Sequence, residues 1–576
     1  MKQGKKRCEP WAFLDEYRGV VFSGEWPTLS ELFRITTLRR GGKACFTVFE
    51  PERVCLNYND ALKKIEAIAR WLRSKGIRKN DKIAVTGKNS PEWAIAYLAA
   101  IFADATIVPI DYQLTDEELD LLIKTSRAKI LFVDEEKYKR YQGRMEGSGL
   151  SEVISLKKGL GNYIYELDGP SFESDDPATE NDLAAILFTS GTTGNPKGVM
   201  LSHKNLVADC FLAQGTPLDV LPTDVFYALL PLHHAYTMLA VFIETISQGA
   251  ELVFGKKMVV QSIMRELKEG KVTMFLGVPM LFNKLLTGIL RGIRQKGVVV
   301  YAVIRFLMAI SGFIKKTFGV NPGKKMFGAV LRQASLSTIR NCISGGGPLA
   351  PSVFRKYNQL GIDFVQGYGL TETSPIINLN PIEHYKEKSV GKIVPGVDMK
   401  ILNPDERGIG EVVLKGPMVM QGYFERPQET AACFTSDGYF KTGDLGYLDN
   451  EDYLYLTGRA KNIIVTDGGK NVYPEEIENE FQLFEEIDQI LIRGYVQDKK
   501  TKSESIEALV FPSFDYFKSI DIGEREQILK RINEIITEVN KNLLPYQKIK
   551  KTTLLDYALE MTTTKKIKRT VESVGS

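Results

Sequence analysis

The chain has 576 residues, 44% hydrophobic and 25% charged, with a net charge of +4. That is the composition of a soluble globular protein too long for one core, on the order of two to four domains, and so even a charge balance gives no reason to expect nucleic acid as a partner. The six cysteines form no CxxC pair, which suits scattered reduced thiols and a cytoplasmic protein.

The basic N-terminus, MKQGKKRCEPWAFLDEYRG, has no apolar h-region, so no secretory signal is expected. Ala61, Leu62, Ile65, Ile68, Ala69 and Leu72 recur at helical spacing. KIAVTG (82–87) reads as a strand, and Ser90-Pro91 as the cap and first residue of a helix. IVPID (107–111) is the next strand, Thr115 and Glu118 open another helix as a capping box, and KILFVD (129–134) is a strand again. This alternation predicts βαβ units and a mostly parallel sheet. Residues 141–181 read as a polar connection. LAAILF, after Asn181, reads as a buried strand. Short runs between Gly, Pro and Asp over 407–457 predict small β structure, and mixed α/β patterning resumes after 458–462. The most regular helix is predicted over 524–543.

The segment TSGTTGNPKGVMLSH spans Thr189 to His203. It follows a predicted strand and precedes a helix capped at Ser202. Gly191, Gly194 and Gly198 allow a tight turn that brings backbone N–H groups toward an anion. Thr189, Ser190, Thr192 and Thr193 add hydroxyl groups, and Lys197 adds a charge suited to phosphate. Gly198 after Lys197 breaks the spacing of a Walker A loop, which weighs against a P-loop ATPase or phosphotransferase.

This loop resembles the signature of the AMP-forming acyl-activating (adenylate-forming) enzymes: acyl-CoA synthetases, luciferases and peptide-synthetase adenylation domains. Further motifs follow in that family's order: SGGGPLAP (344–351), GYGLTETSP (367–375), YFKTGDLG (439–446), GRAKNIIVTDGGKNVYPEEIE (458–478) and TTTKKIKR (562–569). The resemblance implies an α/β fold. Its large N-terminal domain (1–457) would hold parallel and mixed sheets layered with helices, plus a small β-barrel-like part. A small, mobile α+β C-terminal domain (458–576) would follow.

It also implies roles. The 189–198 loop would hold the β- and γ-phosphates of ATP. Gly345, Gly346 and Gly347 would let adenine approach the backbone, and Tyr368, flanked by Gly367 and Gly369, would give it an aromatic face. Thr371 would bond the α-phosphate and Glu372 would ligate Mg²⁺, a hard cation that takes carboxylate oxygen. Asp444 would accept the ribose hydroxyls and Arg459 would contact ribose or phosphate. Lys461 would be the hinge between the domains. His234 would sit near the acyl pocket, with His233 as its neighbour in register. Lys566 would bridge the acid and the α-phosphate; many relatives have T-G-K where this chain has Thr564-Lys565-Lys566, so the register rests on Ile567 and Arg569, with Lys565 as the alternative.

Similar inserts to the long one between about Leu285 and Ala334 occur in the fatty-acid branch of the family. The resemblance therefore implies a medium- or long-chain fatty acid as substrate and coenzyme A as acceptor. Acyl carrier protein as acceptor and an aromatic acid, succinylbenzoate included, stay open, as does an inactive lipid-binding relative. Within the insert, residues 297–314 are almost wholly apolar, and Arg291, Arg294, Lys296, Lys315 and Lys316 lie around them. Three readings fit: a partly buried helix, a helix docked on an anionic membrane surface at the inner face of the membrane, or a spanning helix. Lys324, Lys325 and Arg332 would add to a membrane-facing basic set.

Overall fold

The computed structural model describes residues 9–143, 149–189, 196–216, 218–256, 259–466, 470–498, 503–561 and 567–569. Among these residues, two large sheets carry most of the chain. The first has seven strands. Its parallel part runs from Leu183–Thr189 through Thr106–Ile110, Lys82–Thr86 and Ala128–Val133 to Glu152–Ser155. The second has thirteen strands. It is parallel from Ala44–Val48 to Asp363–Gly369 and antiparallel beyond, through Ile376–Leu379 to the Gly410–Lys415, Phe440–Leu448 and Tyr453–Arg459 strands. The expected α/β layering and the small β part are both present.

Local sequence explains most elements. The Tyr58–Ser74 helix buries Ala61, Ile65, Ile68, Ala69 and Leu72, which share one face. Thr115 and Glu118 form the expected reciprocal capping box. The Pro91–Phe102 helix is apolar on all sides because it is enclosed between layers.

Two expectations need correction. The stretch 141–181 contains an edge strand, Glu152–Ser155. Four residues are too few to show a period, so only pairing with Ala128–Val133 reveals it. The phosphate loop leads into a strand, Lys197–Ser202, which pairs antiparallel with Leu183–Thr189 and sets Thr189 opposite Lys197. Ser202 does cap a helix, His203–Gln214, by accepting from the Asn205 N–H at 3.1 Å.

Residues after 458 build a separate three-stranded sheet from Ile487–Asp498, Ser503–Pro512 and Ile549–Leu554. The Arg525–Asn540 helix packs Ile528, Ile532, Ile535 and Val539 into a core with Val510 and Phe517. Gln482 ties this unit to the larger one: its Nε2 donates to the Pro348 carbonyl at 3.0 Å, and its Oε1 accepts from the Ala350 N–H at 2.8 Å.

The insert forms a 21-residue helix, Val298–Phe318, on the flank of the molecule. Met308, Ser311 and Lys315 of it are buried against the body of the protein, so one side of the helix is covered and the other is open. Phe306 and Phe313 are 67% and 65% exposed. Lys315 leaves the proposed membrane-facing set. Its ammonium donates to Asn358 Oδ1 at 2.7 Å and Asp363 Oδ1 at 2.6 Å, beneath the helix. Lys324 donates to the Ile339 carbonyl at 3.0 Å. A one-dimensional reading counts these lysines with the surface because it cannot see which side of the helix faces the protein.

Removing Lys315 takes the ammonium from the Asn358 amide oxygen and leaves Asp363 its bond from Asn321. Asp363 retains partial solvent access, which moderates the cost. Lys315→Met should therefore lower unfolding free energy by about 2–3 kcal/mol, whereas Lys316→Ala should stay within ~0.5 kcal/mol. Urea melts of the two variants check this.

Candidate active site

A cleft of ≈ 2270 Å³ opens between the large unit and the C-terminal unit. At one end the backbone is built for close approach. Gly345, Gly346 and Gly347 follow the Asn341–Ser344 strand, and Gly346 takes a positive φ of 76°. A Cβ on Gly345 would press into the Tyr236 ring. Tyr236 is fixed by donating its hydroxyl to the Ile343 carbonyl at 3.0 Å. Gly367 and Gly369 line the same cleft on either side of Tyr368. A Cβ on Gly369 would land on the Pro375 carbonyl oxygen.

Asp444 organises the next part. Its Oδ2 accepts from the Tyr368 hydroxyl at 2.6 Å, and its Oδ1 meets Arg459 Nε at 2.6 Å. The side chain is 8% exposed. Burial, and then the Asp444 charge, pushes the Tyr368 phenol well up, so it stays a donor. Tyr368 and Arg459 bond one oxygen each and so fix the orientation of the carboxylate.

Thr371 and Glu372 sit in the short turn Thr371–Thr373. Leu370 N–H donates to Thr373 Oγ1 at 3.0 Å, and Met420 N–H donates to the Glu372 carbonyl at 2.9 Å, so the turn is held from two sides. The Glu372 carboxylate faces the cleft, and its Oε1 accepts from the Tyr423 hydroxyl at 2.9 Å. A carboxylate is a hard oxygen donor, so Glu372 fits Mg²⁺ better than a softer metal.

Lys197 pairs with Glu429 at 2.5 Å and lies 5.0 Å from the Tyr423 ring centre. Arg426 also meets Glu429, at 2.7 Å, and donates to the Pro196 carbonyl at 3.1 Å. Thr189 donates to the Lys197 carbonyl at 3.4 Å. Ser190, Gly191, Thr192, Thr193 and Gly194 lie outside the described residues.

Lys461, in the Ala460–Asn462 turn, lines the cleft. Burial, and then the nearby charges of Arg459 and Lys197, hold its ammonium below the usual lysine range. Three cations thus converge where a polyanion would relieve their repulsion.

His234 lines the cleft, with its ring 4.1 Å from that of His233. His233 is buried, and its Nε2 lies 3.6 Å from Asp111 Oδ2. Burial acts to raise the Asp111 carboxyl, but the His233 contact and a backbone N–H from Gln113 bring it down to about 2. Of the two histidines, His234 is the more open to the cleft.

Lys565 and Lys566 lie outside the described residues. Ile567, the next residue, lines the cleft, and Arg569 is anchored to Glu478 at 2.5 Å. Sequence reasoning missed Tyr236, Tyr423, Glu429 and Asp111. Each acts through a partner far along the chain, and only GYFERPQET (422–430), within the 407–457 stretch read as small β structure, carried any local sign of polar density.

Asp444→Ala removes a charge-assisted acceptor of ~1.5–3 kcal/mol. ATP binding, read by calorimetry, should weaken roughly tenfold or more. Unchanged ATP affinity would remove Asp444 from the nucleotide site.

Residues 34–424 match the AMP-binding enzyme family. A feruloyl-CoA synthase of an Amycolatopsis species is 28% identical over 467 residues, which cover 79% of this chain and 82% of that protein. A long-chain-fatty-acid–CoA ligase of Bacillus subtilis is 28% identical over 495 residues, covering 79% and 80%. The structure of o-succinylbenzoate CoA synthetase from Bacillus subtilis, solved with its acyl-adenylate, superposes with a TM-score of 0.74 at 22% identity, covering 95% of this chain and 98% of that one. With its glycine cradle, acidic node and convergent cations joined in one cleft, the chain belongs to the AMP-binding enzyme family.

Proposed function

We propose that this chain activates a medium- or long-chain fatty acid as an acyl-adenylate, releases pyrophosphate, and transfers the acyl group to coenzyme A. The observation that carries this reading is the continuity of the cleft. From the nucleotide end it passes His234 and runs on between Leu218, Val220, Phe226, Met274 and Leu276. An anion-binding end joined to an apolar channel suits a substrate with a charged head and a hydrocarbon body.

The chemistry is attack of a carboxylate on the α-phosphate. Both reactants are anions, so alignment and charge neutralisation supply most of the catalysis. Lys197 and the loop before it would bind the departing phosphates, trading the Glu429 ion pair for theirs. Glu372 would hold Mg²⁺, which neutralises phosphate charge when bound. Asp444, Tyr368 and the 345–347 glycines would place the nucleoside, and Thr371 the α-phosphate. Lys566 would bridge the two reacting groups. The unit after residue 458 would then swing about Lys461 to admit the thiol.

The Val298–Phe318 helix supports a place of action at an anionic membrane surface. Val299, Val303, Phe306, Ile310 and Phe313 are exposed along one face, with Lys296 before them and Lys316 and Lys325 after. The other side packs on the Pro351–Gln359 helix. One apolar face with basic ends suits a helix lying in the headgroup region rather than crossing it. The enzyme would then be cytoplasmic and peripheral on the membrane.

Incubated with fatty acid, ATP and Mg²⁺ but no thiol, the protein should exchange labelled pyrophosphate into ATP and form AMP. Lys566→Ala should lose most of this exchange yet still convert supplied acyl-adenylate to thioester, and Lys565→Ala should be mild. ADP as the main product would replace this reading with a phosphotransferase. Exchange with aromatic acids alone would move the substrate class, and acyl carrier protein outperforming coenzyme A would move the acceptor.

In flotation with phosphatidylglycerol vesicles, the wild type should bind at low salt and release at high salt. Phe306→Ser with Phe313→Ser should abolish binding, and Lys316→Glu with Lys325→Glu should weaken it. Wild type that stays unbound at low salt ends the membrane reading, and a dimer that the Phe306 variant breaks would assign the face to a second copy.

A further inference from the structure

The deep end of the cleft holds a polar cluster that the nucleotide site does not use. Beyond His234 one wall is a continuous helical run made of Ala235–Thr237, Met238–Ile243 and Glu244–Gln248. Its middle segment is π-helical, a widened turn that recurs at functional sites because it re-aims side chains. His234, Ala235, Ala240 and Glu244 all line the cleft, so the run extends along its wall. At ~1.5 Å per residue, Glu244 lies roughly 15 Å beyond His234. On the scale of ~3.5 Å per three backbone bonds, an extended acyl chain spanning that gap has about a dozen carbons.

Glu244 does not stand alone there. Its Oε2 accepts from Gln214 Nε2 at 2.5 Å, and the same nitrogen donates to Ser247 Oγ at 2.7 Å. Gln214 Oε1 in turn accepts from Gln248 Nε2 at 2.7 Å. The amide of Gln214 is therefore engaged at both its nitrogen and its oxygen, which fixes the carboxyl it holds. Glu244 is only 5% exposed, and that exposure belongs to a residue lining the cleft. Burial raises its carboxyl to about 8, so at neutral pH it is mainly an uncharged acid with an O–H to donate and oxygens to accept. Gln214 and the Cys210 thiol both bond this carboxyl, and a plain hydrocarbon end would offer its O–H nothing further.

We propose that Glu244 reads the distal end of the acyl chain, and that the preferred acid carries an uncharged oxygen function there, a hydroxyl or carbonyl group, hydrogen-bonded to the Glu244 carboxyl. This rests on the acyl-adenylating reading above. The uncharged carboxyl offers no counter-charge to an ammonium, which separates hydroxy and keto acids from amino acids as substrates. A site built to hydrogen-bond a substrate oxygen discriminates strongly against the analogue that lacks it, while an apolar pocket gains only modestly from one more methylene.

The test is thiol-free pyrophosphate exchange with ω-hydroxydodecanoate and dodecanoate, using wild type, Glu244→Gln and Glu244→Leu. Wild type should favour the hydroxy acid in kcat/KM by about tenfold or more. Glu244→Gln should keep part of that preference, and Glu244→Leu should reverse it, with the change carried mainly by KM. Thermal melts show whether each variant is folded; if Glu244→Leu is not, Glu244→Gln against wild type carries the comparison. Wild type that uses dodecanoate as well or better, with a ratio neither variant moves, would reduce the cluster to a tie between helices. Absence of exchange with every acid would overturn the adenylating reading itself, a different result from an unmoved ratio.

Discussion

Three stretches of chain meet at the carboxylate of Asp444. Tyr368 stands next to last in the final strand of the parallel region, Asp444 belongs to the antiparallel region, and Arg459 is the last residue of the strand that leads into the C-terminal unit. Charge-assisted bonds to one buried carboxylate hold all three together. Removed from water, these bonds are stronger and more directional than they would be at the surface. The glycine cradle, the Thr371–Thr373 turn and the junction at Lys461 all take their places relative to this node.

Around it the site is arranged by charge. Lys197, Arg459 and Lys461 converge on one volume, with Glu429 and Asp444 offsetting two of them. Keeping like charges together costs stability, and the fold offsets that cost with nearby carboxylates.

The apolar residues of the chain follow a different logic in different places. The runs over 203–214 and 235–248 are enclosed, and Ala213, Gln214, Ala240 and Glu244 of them line the cleft. The run over 298–318 is as apolar, yet most of it faces outward. Hydrophobicity drives each out of water; what covers it differs. The enclosed runs are covered by neighbouring elements, whereas the 298–318 helix is covered on one side, by the Pro351–Gln359 helix.

The sequence by itself determined the order of the elements, the α/β layering and the motifs that became the cleft. Those features are local: capping at Thr115 and Ser202, helical period over 58–74, and glycines spaced for a backbone turn at 345–347. It also brought Asp444 and Glu372 forward, because their motifs stand in a recognisable order. Tertiary structure alone decided the rest. It paired Tyr423 with Glu372, Glu429 with Lys197 and Asp111 with His233. It turned Lys315 inward to Asp363 and set Glu244 against Gln214 in the wall of the cleft. Pairings across such separations leave no periodic trace in the sequence. They depend on where strands meet and which side of a helix is covered, and those are settled only when the sheets close around one another.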